Sequence, residues 1–79
     1  MTQVKRFTMP FETSTFAKGQ TVYVVMMTGS LACKACGKHK ITGRYVTSWV
    51  RYAKYVEMMD FEAVKVEASF ADKYNIGEI

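Results

Sequence analysis

Histidine is almost missing from this sequence: His39 is the only one in 79 residues. No Ser/His/Asp spacing surrounds it, and no Gly-rich phosphate loop or pair of carboxylates set to flank a cleft occurs elsewhere. Catalytic clefts commonly reach roughly 300–1,000 Å³, which a chain this short has little material to enclose. A non-enzymatic binding role is therefore expected. Long apolar runs are also lacking: no window holds eighteen consecutive apolar residues, which excludes a membrane-spanning helix of the usual kind. The opening stretch, MTQVKRFTMPFETS, has basic residues but no apolar run behind them, so no secretory signal and a cytoplasmic location are expected. Cysteine is scarce, at two residues, and in that compartment the pair would be reduced, metal-bound or catalytic rather than a structural disulfide. Proline occurs once, as Pro10, and with five glycines these are the only strong breakers. Without repeats or linkers, residues 1–79 are expected to form one domain.

Acidic residues are absent over a long stretch. Residues 1–56 carry nine bases and one acid, Glu12, a balance of +8. Residues 57–79 carry six acids and two bases, a balance of −4, and together they give the net +4. Such asymmetry creates a basic patch that attracts nucleic acid or an acidic protein surface. The competing expectation is that the acidic C-terminal part folds back and neutralises the basic part.

What is present is alternation. Residues 5–11 read as a short edge strand, because Pro10 cannot donate to a central ladder. Residues 12–19 read as a turn. Residues 20–27, QTVYVVMM, are apolar on both faces and predict a central strand. Residues 28–39 hold two glycines and both cysteines and read as a loop, and residues 40–47 as the next strand, with Gly43 suited to a bulge. In residues 48–59 the polar Arg51, Lys54 and Glu57 are spaced by three, which predicts a helix whose buried face is Trp49, Tyr52, Ala53, Val56 and Met59. A strand is the rival there, given Trp, Tyr and Val, but period two would bury Arg51 with Trp49. Residues 61–70 alternate again, and the tail is expected to pack through Tyr74 and Ile76. The expected fold is α+β: an antiparallel sheet of three to four strands with one helix packed on one face, in the order β-β-β-α-β. A small β-barrel is the alternative, with residues 48–59 continuing as strand.

Cys33-Lys34-Ala35-Cys36-Gly37 resembles one knuckle of a zinc ribbon. The resemblance implies a Zn²⁺ held by Cys33 and Cys36, with His39 as third ligand. A ribbon needs a second cysteine pair, which this chain lacks, so a fourth ligand would be a carboxylate or water, or two chains would share the site in a dimer. A thioredoxin-type motif opens a helix after a strand, which this context does not suggest. The alternative is two small apolar thiols at the base of a loop.

Cations and rings alternate over residues 44–55: Arg44, Tyr45, Trp49, Arg51, Tyr52, Lys54 and Tyr55. This mixture suits single-stranded nucleic acid and equally a protein interface. Trp49 is expected in the core, and Tyr55 on the surface with Arg51 and Lys54. The expected binding residues are thus Lys34, Lys38, Lys40, Arg44, Arg51, Lys54 and Tyr55. In composition the chain resembles phage- and mobile-element accessory proteins, which implies an inhibitor-like protein docking on host nucleic-acid machinery. The alternative is direct nucleic-acid binding with a zinc-knuckle-like loop.

Overall fold

The computed structural model describes residues 1–29, 31–53 and 55–77. Five antiparallel strands form one open sheet: β1 (Thr2–Thr8), β2 (Thr21–Thr28), β3 (Ala32–Lys38), β4 (Tyr45–Arg51) and β5 (Glu62–Val66). Their order across the sheet is β4-β3-β2-β1-β5. A single 3₁₀ turn, Val56–Met58, precedes β5, and one short helix, α1 (Ala68–Tyr74), follows it. The fold is α+β, as the sequence predicts, but three to four strands is an undercount, and the helix follows the last strand, so the order β-β-β-α-β does not hold. The barrel alternative fails because β4 and β5 are edges that do not meet.

β2 is central, as its two apolar faces require. Val22 and Val24 point to one face and Tyr23 to the other; a register shift between Val24 and Met26 then leaves Val25 as the extra residue of a bulge. β1 is not an edge strand: β2 and β5 flank it, and Pro10 lies beyond its end.

The first face buries Phe7, Met9, Phe16, Val22, Val24, Cys33, Ala35, Val50, Tyr52 and Met59. Two segments cover it: residues 9–20, through Met9, Phe11 and Phe16, and the stretch after β4, through Tyr52, Met59 and Phe61. Thr13 Oγ1 accepts hydrogen bonds from the Thr15 and Phe16 backbone N–H groups, which holds the first segment in a turn and delivers Phe16 to the core. Burying a phenylalanine of this kind stabilises by roughly 1.5–3 kcal/mol. The second face buries Val4, Cys36, Ala71 and Ile76, with Tyr23, Tyr45, Phe70 and Tyr74 packed around them. Helix α1 docks there through its rings: Phe70 lies 5.4 Å from Tyr23 and 5.6 Å from Tyr45, and Tyr74 lies 4.8 Å from Tyr45. Asn75 closes the helix in the left-handed conformation, and the Ile76 N–H donates to the Ala71 carbonyl. The tail thus packs through Tyr74 and Ile76.

Three local expectations are overturned. Residues 32–38 are a strand and not a loop, and just before it the Leu31 N–H donates to the Thr28 carbonyl. Residues 40–43 are the next turn, where Gly43 adopts φ +73°, so Gly43 serves the turn and not a bulge within a strand. Residues 45–51 are strand β4, so the expected helix over 48–59 is replaced by half a strand, an irregular connection and one 3₁₀ turn.

Candidate binding surface

In strand β3 successive side chains alternate, so residues three apart face opposite ways. Cys33 therefore joins the core of the first face and Cys36 that of the second. Both are fully buried and unbridged. Burial pushes the Cys33 thiol up to about 11 and raises Cys36 as well, the reverse of what a thiolate ligand or nucleophile needs. His39 lies past the end of β3, and its Nδ1 accepts from the Ile41 N–H. The sheet thus places Cys33 and Cys36 on opposite faces, which is not the arrangement that the knuckle resemblance implies. Among the described residues no group of three or more His, Cys, Asp or Glu is placed to hold a metal.

The same alternation brings other residues together. Lys34, Cys36 and Lys38 share the second face on β3, and their partners on β4 are Trp49, Thr47 and Tyr45. Arg51 pairs with Ala32 on that face, and Met26 of β2 pairs with Lys34. Met26, Lys34 and Trp49 therefore form one row across three strands, with Arg51 in the next row. Helix α1 covers the far part of this face and leaves this corner open: Trp49 is 51% exposed and Met26 is 50% exposed. The expectation that Trp49 is core is corrected. Val50, next to Trp49 in β4, and Tyr52, just past the strand, are the buried ones. A groove of about 290 Å³ continues the corner, lined by Leu31, Arg51, Ala53 and Tyr55.

The remaining expected binding residues scatter. Lys40 sits in the β3–β4 turn and is ion-paired to Glu12 at 3.0 Å. Arg44 ends the same turn and is exposed. Tyr55 is half-buried, its ring 4.4 Å from that of Phe11. Lys54 and the side chain of Val56 lie outside the described residues. Met26 was missed altogether; its place in an apolar strand gave no hint that the helix stops short of it.

A cleft of about 350 Å³ opens at the other end of the second face, lined by Arg6, Gln20, Thr21, Tyr23, Lys38 and Tyr45. The hydrogen bond from Arg6 Nε to Glu62, 2.6 Å long, raises the guanidinium further and cancels its charge locally. Burial, with smaller contributions from Tyr23, Cys36 and Tyr74, raises the Tyr45 hydroxyl, so it stays protonated. Among the described residues the cleft holds donors and one cation without a carboxylate partner, Lys38, and no nucleophile beside a base.

The bases of β3 and β4 and the two acids in and just after β5 lie at opposite sides of the sheet. Residues 21–51, which contain β2, β3 and β4, carry five bases and no acid. Glu62 and Glu67 lie in and just after β5, at the opposite edge. Among the described residues no carboxylate pairs with Lys34, Lys38, Arg44 or Arg51. No helix of the described residues is long and apolar enough to cross a membrane. No protein-family model, no curated protein and no solved structure matches this chain.

Proposed function

We propose that the chain is a non-enzymatic accessory protein, of the phage- or mobile-element type, that acts in the cytoplasm by docking on an acidic face of a host protein or protein–nucleic-acid complex. One observation carries the reading: an exposed tryptophan and methionine stand in a row with an unpaired lysine, beside an arginine, on three strands without a single acid. Trp and Arg are among the residues most enriched where interfaces concentrate their energy, and Met is enriched across interfaces. The phage-type assignment rests on composition alone. The docking surface is Met26, Lys34, Trp49 and Arg51, with Lys38 and Arg44 extending the field. The test is capture from nuclease-treated bacterial lysate with the wild-type chain and the Lys34→Glu, Arg51→Glu double variant. A stoichiometric protein partner lost with the double variant, and retained with Lys18→Glu, Lys65→Glu, is expected. Equal capture by both variants overturns the surface.

Single-stranded nucleic acid is the second reading, favoured by the exposed Trp49 ring between Lys34 and Arg51, where a base could stack. It requires log affinity to fall linearly with log salt, and a flat response removes it.

A further inference from the structure

The hydrogen-bond pattern between β3 and β4 fixes which backbone groups of β4 remain open. The His39 N–H donates to the Arg44 carbonyl at 2.8 Å, and the Tyr52 N–H donates to the Leu31 carbonyl at 3.1 Å. Both pairs belong to the β3–β4 register, in which Cys33 faces Val50, Ala35 faces Ser48 and Gly37 faces Val46. Hydrogen-bonded and non-hydrogen-bonded pairs alternate along an antiparallel ladder. Val46, Ser48 and Val50 therefore bond to β3, while the N–H and C=O groups of Tyr45, Thr47, Trp49 and Arg51 point out of the sheet. Among the described residues no backbone or side-chain group bonds to them.

Sheet edges of this length are usually blunted by proline, a bulge, a short strand or an inward charge. β5 is short, with five residues, and carries Glu62 and Lys65. β4 has seven residues, Tyr-Val-Thr-Ser-Trp-Val-Arg, with no proline and an unbroken register. Its only charge, Arg51, stands at the very end.

We propose that β4 is a docking edge that takes an extended acidic segment of a partner protein as a sixth strand, with main-chain bonds to Tyr45, Thr47, Trp49 and Arg51. This rests on the reading of the chain as a protein-binding module and specifies how it binds. Charge selects the occupant. A second copy could align its β4 antiparallel about Ser48, but it would bring another acid-free, five-base half against the first. A strand with carboxylates at alternate positions meets Lys34 and Arg51 instead, on the face where Trp49 stands. An apolar residue near its end fits the groove of Leu31, Ala53 and Tyr55 beside Arg51. Main-chain bonds supply affinity in strand addition, and the alternate side chains supply specificity.

The probe is a blocked seven-residue peptide alternating glutamate and valine, carrying a fluorophore. Saturable binding by anisotropy is expected, with slowed amide exchange at Thr47 and Trp49 and none added at Val46, Ser48 and Val50. N-methylation of alternate peptide amides removes several donors, so about tenfold weaker binding or worse is expected. Thr47→Pro deletes an N–H that bonds nothing within the chain, so it should keep the fold and lose the peptide. Undiminished binding of the N-methylated peptide, protection at the wrong amides, or equal binding of a lysine–valine peptide overturns the proposal. So does a dimer closed through β4 in sedimentation, or a thymidine oligonucleotide that outcompetes the peptide. Failure of these arms with lysate capture still sensitive to Lys34→Glu, Arg51→Glu would sink strand addition alone. Loss of that sensitivity would sink the binding surface itself.

Discussion

A methyl group placed on Gly37 would meet Val22 Cγ1 at 2.5 Å, with Phe16 Cε1 and Gln20 Nε2 both at 3.3 Å. Glycine at this position is required by packing against Val22 and Phe16. Gly37→Ala should destabilise by about 1–3 kcal/mol, the usual cost of overpacking, read as a lower urea midpoint at unchanged slope. Cys33 supplies a pH signature. Its thiol is raised from about 9 to about 11 by burial, so above pH 9 the unfolded chain releases a proton that the folded chain keeps. The stability this contributes is complete below about pH 9 and is lost as the pH climbs to 11. Denaturation midpoints across that window should slope downward, and less steeply in Cys33→Ala. The same burial predicts that neither thiol reacts with a thiol reagent until the chain unfolds. With the pair split between faces, the purified protein should carry no stoichiometric zinc, and chelator should leave its melting temperature unchanged.

At the scale of elements, alternation was legible wherever both faces of a strand are apolar, as in β2. It failed in β3 because Ala32, Cys33, Ala35, Cys36 and Gly37 have weak strand preference by themselves. At Gly37 size decides, since Val22 and Phe16 crowd the space a side chain would take. The misreading of residues 48–59 had a different origin. Period two places Arg51 with Trp49, which was rejected on the assumption that Trp49 must be buried. The fold keeps period two and exposes them both, so the rejected pattern was the correct one. No local pattern marks which corner of a sheet a helix will leave uncovered, and that corner is the candidate site. Stability should divide accordingly. Trp49→Ala should change stability by no more than about 0.5 kcal/mol, as surface substitutions do, while abolishing partner capture. Phe70→Ala, which removes the ring between Tyr23, Tyr45 and Tyr74, should cost about 2 kcal/mol and loosen α1. Paired chemical melts and capture assays read both. A large stability loss in Trp49→Ala would return that residue to the core.

For the whole molecule, the question is whether the acidic end neutralises the basic one. For Glu62 and Glu67, strand order answers it by distance. β5 lies four strand intervals from β4, and at about 4.8 Å per interval the two edges stand about 19 Å apart. Physiological salt screens charges beyond about 8 Å, whereas at 0.01 M the range is about 30 Å. The acids of the β5 edge should therefore be invisible to a ligand at β4 in ordinary buffer and felt only at low salt. Glu62→Gln, Glu67→Gln tests this against the glutamate–valine peptide. Its association rate at 0.15 M should match wild type within about twofold, and at 0.01 M it should exceed wild type clearly, because like-charge repulsion from the far edge has been removed. Lys34→Glu, Arg51→Glu should instead slow association at both salts, and more at the lower. Equal sensitivity of the two double variants at 0.15 M would mean that the edges act as one field, and that the segregation along the chain is undone in space.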